Sequence, residues 1–260
     1  MKNKKRVLIT GASSGIGRAC AEALARDGQY DLWLWARRSD RLKEVQSHCL
    51  KMNPQIQVAL SICDLKKTEM IEKTIQENPQ LVQETGVLIN NAGLARGVEM
   101  VADSNWENWN EMIDVNMKSL FFMTRKILPS MILGNEGHIV NIGSVAGRIV
   151  YPGGAVYCAT KFAVRAFSDA LRLDVMGQGI RVTNIEPGMV NTEFSLVRLQ
   201  DQAKADAVYN QMTPLSAMDI AETVLWSLKR PKHVNIQEIV VYPTDQAGVG
   251  YVHRSKGQKS

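Results

Sequence analysis

Apolar positions along this chain fall into two alternating kinds of segment. Short unbroken runs rich in Val, Ile and Leu occupy residues 6–10, 30–36, 55–61, 86–90, 137–142, 180–185 and 238–242. They show little polar alternation, as strands buried on both faces require. Between them lie longer stretches with apolar residues at helical spacing, notably 16–26, 40–51, 68–82, 105–128 and 157–176. Ser104 with Glu107, and Ser216 with Asp219, have capping-box spacing, and Pro231 halts the last helix. Asp40 reads as a helix N-cap. Parallel strands need a long return connection, so seven strands joined by helices predict a doubly wound, mostly parallel sheet with helices on both faces. Residues 188–213, polar and irregular, are expected to form a mobile loop or short helices.

Composition narrows the class. With 260 residues and 45% hydrophobic content, the chain can bury one large core, and we expect a single domain over residues 1–252. The segment 253–260 reads as a basic, disordered tail. No run approaches the roughly 18 apolar residues of a membrane span, and the opening apolar run is too short for a secretory signal. A soluble, cytoplasmic protein is expected, without a membrane partner. The four cysteines and four histidines form no close ligand pairs, so no metal site is expected. The net charge of +5 raises the question of nucleic acid. However, seven of the 31 basic residues lie in the termini, leaving 24 against 26 acids between Val7 and Val252. A nucleic-acid protein carries its basic stripe on the fold, so no nucleic-acid partner is expected.

The first strand runs into Thr10-Gly11-Ala12-Ser13-Ser14-Gly15-Ile16-Gly17, which opens a helix. That context makes a Gly-rich turn a dinucleotide site and the fold a Rossmann-type α/β domain. Gly11 permits the tight turn, Gly15 admits the pyrophosphate beside Ser13, Ser14 and Ile16, and Gly17 lets helix and strand approach. The helix start offers free N–H groups and a positive dipole end to phosphate. The second strand ends in Arg37-Arg38 where an NAD site would place an acid, and guanidinium groups suit a 2′-phosphate. NADP is therefore the expected cofactor. Arg41 fits a phosphate contact or a solvated helix face equally well. Asp64 and Leu65 close the third strand, and Asn91-Ala92-Gly93 close the fourth, at the carboxyl edge where such sheets bind ligands.

Tyr157 and Lys161 lie four residues apart, on one helix face, and Ser144 ends the fifth strand thirteen residues earlier. A free tyrosine titrates near pH 10, so acting at neutral pH needs roughly 4 kcal/mol of help. A cation about 4 Å away at an effective dielectric of 20 supplies about that much.

Taken together, Thr10 to Gly17, Asn90 to Gly93, Asp114-Val115-Asn116, Ser144, Tyr157-x-x-x-Lys161 and Pro187-Gly188 resemble the short-chain dehydrogenase/reductase family over nearly the whole chain. The resemblance implies hydride transfer with NADP, with Tyr157 as general acid and base. It implies Ser144 as donor to the substrate carbonyl, and Lys161 as ribose binder and tuner of Tyr157. Asn116 would hold a proton-relay water along a distorted helix, and Pro187, Gly188, Val190 and Thr192 would contact the nicotinamide. A narrower resemblance, carried by Asn91 to Ala95, Asn141 to Ser144, Ile185 to Gly188, Thr192 to Ser195, His233 to Ile236 and the end around Val252 to Arg254, is to NADP-dependent 3-hydroxy acid dehydrogenases acting on serine and L-allo-threonine. That group implies a small-molecule substrate, reduction of related semialdehydes, and a homotetramer. A 3-hydroxy acid needs a cation for its carboxylate, and Arg148 and Arg198 are the candidates by position; Glu193 could meet an amino group or simply start a helix. The alternatives are a broad carbonyl or 3-oxoacyl reductase and, outside enzymes, an NADP-sensing regulator.

Overall fold

The computed structural model describes residues 4–255. Seven parallel strands form one sheet: β1 (Lys5–Thr10), β2 (Tyr30–Ala36), β3 (Val58–Ile62), β4 (Thr85–Asn90), β5 (Gly137–Ile142), β6 (Ile180–Pro187) and β9 (Glu238–Val241), in the order β3-β2-β1-β4-β5-β6-β9. Two short pairs lie outside it: β7 (Val190–Asn191) with β8 (Leu215–Ser216), and β10 (Gln246–Gly248) with β11 (Tyr251–Val252). The predicted seven-stranded doubly wound sheet is the observed one. Chain order reverses between β1 and β4, which places the ligand crevice beyond the carboxyl ends of those strands.

Both faces of the central strands are dry. In β2, Leu32 and Leu34 pack with α1 (Gly15–Asp27), α2 (Ser39–Met52) and α10 (Ala217–Leu228) on one side. Trp33 and Trp35 point to the other, where α3 (Thr68–Gln76), α6 (Ser119–Leu133) and α7 (Ala155–Asp174) cover them. Neighbouring residues therefore serve opposite cores, which is why the strand runs lack alternation. Each such large side chain contributes about 1.5–3 kcal/mol by leaving water.

Several boundaries differ from the sequence reading. The helix expected over 68–82 is two, because Pro79 starts α4 (Pro79–Glu84) and cannot continue α3. The helix expected over 105–128 is α5 (Trp106–Ile113), a π turn (Asp114–Lys118) and α6. Asn105, not Ser104, caps α5: its side chain accepts from Glu107 and Asn108 N–H, while Ser104 Oγ donates back to the Met100 carbonyl. Asp40 lies inside the first turn of α2 and caps nothing. The Ser216–Asp219 capping box is present. The irregular stretch holds β7, α8 (Phe194–Leu199) and α9 (Gln202–Ala207). The start of the expected tail is docked: His253 N–H donates to the Asp245 carbonyl, and Arg254 donates to the Val208 and Asn210 carbonyls. Residues 256–260 lie outside the described residues. Among those described, no helix is long and apolar enough to cross a membrane, and no cluster of three metal-ligating side chains occurs. All four cysteines are buried and unpaired.

Candidate active site

One cavity of about 690 Å³ opens at the carboxyl edge of the sheet. Its floor begins at the Gly-rich turn. Gly11 and Gly15 adopt φ of +67° and +54°, where a side chain would be strained. A Cβ on Gly17 would lie 2.5 Å from both Gly11 O and Asn91 Nδ2, so this glycine makes the close helix–strand approach possible. Asn91 braces the turn, its Nδ2 donating to Thr10 O at 2.9 Å. Helix α1 has no side-chain cap at Ser14 and no acid in its first turn, so its N–H groups stay available at the cavity. That is the environment of a phosphate.

The predicted cofactor residues meet at this cavity. Ser13, Ser14, Gly15 and Ile16 line it with Arg37, Arg38, Asp64 and Leu65; Asn91, Ala92, Gly93, Pro187, Gly188, Val190 and Thr192 continue the wall. Gly17 acts from below by packing. Arg38 Nη2 donates to Ser14 Oγ at 2.8 Å, which sets a guanidinium beside the helix start. Arg41 stands off the wall and binds Glu193, as does Arg38 Nη1 at 3.0 Å. Burial opposes ionisation of Glu193, but Arg41 and Arg38 outweigh it and hold the carboxyl below its usual range. The open helix start, the glycine cradle and the paired arginines fit a dinucleotide bearing an extra phosphate.

At the other end stand Ser144, Tyr157 and Lys161, all on the cavity wall. Ser144 opens a short 3₁₀ turn (Val145–Gly147) and accepts from Ala146 N–H at 3.1 Å. The Lys161 ammonium lies 5.9 Å from the Tyr157 ring centre and donates to the Ile142 carbonyl at 2.8 Å. Burial pushes the Tyr157 phenol above its ordinary value, with the Ser144 hydroxyl opposing. Burial pushes Lys161 down to about 8, with Glu186 opposing. The lysine thus sits near its own titration, and the phenol is held neutral.

Asn116 does not reach the cavity. It lies in the π turn, where its Oδ1 accepts from Leu94 N–H at 2.8 Å and its Nδ2 donates to Leu94 O and Thr160 Oγ1. Its side chain is committed to holding the turn against α7. Arg148 is also not brought to the cavity; it faces away and pairs with Glu186 and Glu238. A guanidinium already held by two carboxylates has no charge to offer a substrate. Arg198, on α8, does line the cavity, 6.0 Å from the Tyr157 ring centre. It donates to Gly97 O (2.9 Å), Tyr151 Oη (3.0 Å) and Gly153 O (3.3 Å).

Sequence reasoning missed Tyr151, Phe194, Tyr209 and Gln246. Tyr151 begins the turn Tyr151-Pro152-Gly153-Gly154 just before α7, a breaker signal that marks the pocket rim. Phe194 packs against Tyr157 with ring centres 5.6 Å apart and the rings inclined at 58°. Tyr209 donates to Val190 O at 2.8 Å, and Gln246 Oε1 accepts from Met189 N–H at 2.8 Å. These last two reach the site only through long-range folding, and nothing local in the sequence announces them.

With this geometry in hand, comparison with known proteins is consistent. Residues 5–203 match the family model for short chain dehydrogenases. The chain is 40% identical to the NADP-dependent 3-hydroxy acid dehydrogenase of Schizosaccharomyces pombe, over 97% of each chain. It is 42% identical to sulfoacetaldehyde reductase 2 of Chromohalobacter salexigens, over 93% of this chain and 95% of that one. Among solved structures, the closed form of a serine dehydrogenase complexed with NADP+ superposes with a TM-score of 0.87 at 40% identity, covering 96% of this chain and all of that one. The chain belongs to the short-chain dehydrogenase family of oxidoreductases.

Proposed function

We propose that this protein transfers hydride between NADP(H) and the hydroxyl or carbonyl carbon of a small 3-hydroxy acid, such as serine or L-allo-threonine, or of the related semialdehyde. Arg198 carries this reading. Its three nitrogens meet only neutral oxygens, and no described carboxylate pairs with it. An uncompensated guanidinium beside the proton donor draws an anionic substrate group, by bonds stronger than neutral ones. The two relatives above are named for a hydroxy acid and for a sulfonated aldehyde, both small anions.

Bound NADP(H) supplies or receives the hydride, and the chain's own residues do the rest. Ser13, Ser14 and the α1 start hold the pyrophosphate, Arg37 and Arg38 the 2′-phosphate, Asp64 and Leu65 the adenine end, and Pro187 to Thr192 the nicotinamide end. Ser144 donates to the substrate oxygen while Tyr157 exchanges a proton with it. Lys161 binds the ribose and stabilises the phenolate when it forms, and Asn116 holds the π turn against that helix. A buried neutral phenol is a proton donor, so the free enzyme is set for carbonyl reduction. Alcohol oxidation needs the phenolate and must rise with pH.

The assay follows NADPH absorbance with L-serine, L-allo-threonine and an uncharged ketone, each against NADP and NAD. NADP-linked turnover of the hydroxy acids supports the reading. Turnover of neutral ketones alone moves the function to a broad carbonyl or 3-oxoacyl reductase, which the apolar wall of Val98, Val197 and Leu199 favours. Cofactor binding with no turnover of any substrate would leave an NADP-sensing regulator.

We further propose a cytoplasmic homotetramer. Phe162, Leu173 and Met176, on or just after α7, are exposed, and such a patch suits a helix-to-helix interface. Sedimentation of the purified protein decides the assembly, and a monomer or dimer at micromolar concentration would defeat the tetramer.

A further inference from the structure

Behind the catalytic face lies an ion-pair cluster that the chemistry above does not use. Glu186, in β6, is wholly buried. It accepts from Arg148 Nε and, at 2.7 Å, from Asn184 Nδ2. Arg148 also reaches Glu238 on β9. Arg165 of α7 donates to Glu238 at 2.8 Å, and its Nε lies 3.9 Å from Glu186. Burying a carboxylate costs desolvation that only close pairing offsets, and a hydrophobic residue of similar size is often as stable. Fold stability alone therefore does not account for an acid here.

Its partners do. Arg148 closes the 3₁₀ turn that Ser144 opens. Arg165 stands one helical turn beyond Lys161. Glu186 itself precedes Pro187 and Gly188 on the cavity wall. One carboxylate thus joins the three segments that carry the reaction. Packing at the junction is tight: a Cβ on Gly143 would meet Glu186 Cγ at 3.1 Å, and one on Gly147 would meet the Lys161 carbonyl oxygen at 2.7 Å.

We propose that Glu186 is a positioning residue: through Arg148 and Arg165 it locks the Ser144 turn to the Tyr157–Lys161 helix, and it packs beside Gly143, next to the Ile142 carbonyl that the Lys161 ammonium binds. For turnover this rests on the oxidoreductase reading; for the lysine it does not. The groups around Lys161 are few. Tyr157 shares its helix, Asn116 on the π turn is neutral, the Ile142 carbonyl faces it from β5, and Glu186 is the acid of β6. Facing Glu186 are Arg148, Arg165, Glu238 and the Asn184 amide; facing Tyr157 are Tyr151, Cys158 and Arg198. Burial pushes Lys161 down to about 8 and Glu186 pushes it up. Burial also pushes Glu186 up, while Arg148 and then Arg165 hold it down.

Glu186→Gln keeps the shape and removes the charge. The first readout is the titration of Lys161 Nζ, followed by ¹⁵N NMR of the lysine-labelled protein. Losing the anion favours neutral lysine, so the midpoint moves to lower pH by about half a unit or more. The limb of the pH–rate profile that follows Lys161 moves the same way, and kcat falls about tenfold or more while the NADPH dissociation constant changes less than about threefold. Glu186→Asp recovers part of both effects. If the single variant does not fold, Glu186→Gln with Arg148→Met removes both members of the pair and leaves no unpaired charge between them. The Lys161 midpoint falls in that variant too. A folded variant with an unmoved Lys161 midpoint overturns the proposal. Absence of hydroxy acid turnover in the unmodified protein defeats the substrate reading instead, and the titration still decides this one.

Discussion

The two ends of the cavity are built in different ways. The cofactor end is assembled from consecutive βα turns, at β1, β2, β3 and β4, each contributing residues next to one another in the chain. The end proposed for substrate is assembled from Tyr151, Phe194 and Arg198, with Tyr209 and Gln246 bracing the adjoining loop at Val190 and Met189, spread over nearly a hundred residues and held mostly by contacts across the fold. The first kind of site depends on backbone geometry that glycine and helix starts dictate. The second depends on which distant side chains happen to converge. Loss of a residue at one end should therefore leave the other nearly unchanged, and that independence can be tested.

The largest effect belongs to the proton donor. Tyr157→Phe removes the hydroxyl proposed to exchange a proton with the substrate oxygen, and turnover should fall by about 10²–10⁴-fold. NADPH affinity, measured by fluorescence titration, should stay within a few-fold, because the α1 cradle lies at the other end. A comparable loss of both would mean that the two ends are not independent. The pH dependence sharpens the same point. Burial raises the Tyr157 phenol, so oxidation should climb with pH while reduction stays level over the neutral range. Equal slopes in both directions would remove Tyr157 from the role.

Second in size is cofactor choice. Arg38→Ala deletes a guanidinium held at the α1 start by Ser14. Hydrogen bonds to charged groups contribute about 1.5–3 kcal/mol, so NADP should weaken by about ten- to a hundredfold. NAD, which lacks the phosphate, should bind as before. Equal losses for both cofactors would show that Arg38 supports the turn and not the phosphate.

This contrast also explains what could be read from the chain. The central strands were legible because they are dry on both faces, as at Leu32 to Trp35. The Gly-rich turn was legible because three glycines each answer a local demand. Arg148 was misjudged because its position after Ser144 is a local fact, whereas its partners Glu186 and Glu238 come from other strands. Asn116 could be placed in a distorted helix by family resemblance, but no propensity reveals that Leu94 and Thr160 consume its amide. The apolar spacing over 68–82 runs on across Pro79, but a proline cannot continue α3, so the helix divides there.

Third comes the substrate anchor. Arg198→Met retains much of the aliphatic stem and removes the charge. For a hydroxy acid, KM should rise about tenfold, the cost of about one charge-assisted bond. A neutral ketone should show little change. If KM rises equally for both, Arg198 serves only to hold Tyr151 and the carbonyls of Gly97 and Gly153.

The smallest effect lies where the two ends touch. Glu193 stands at the start of α8, which carries Arg198, yet its carboxylate binds Arg38 and Arg41 beside the phosphate end. Both arginines and the acid are partly solvated, so the pairing is worth about 1 kcal/mol at most. A 2′-phosphate arriving at Arg38 meets that carboxylate as a competitor and as a like charge. Glu193→Gln should therefore tighten NADP about two- to fivefold and leave NAD unchanged, an effect that fades as salt screens it. The KM for hydroxy acids should not move if the ends are independent. If it does move, Glu193 ties α8 to the cofactor end, and the separation of the two halves fails at this residue.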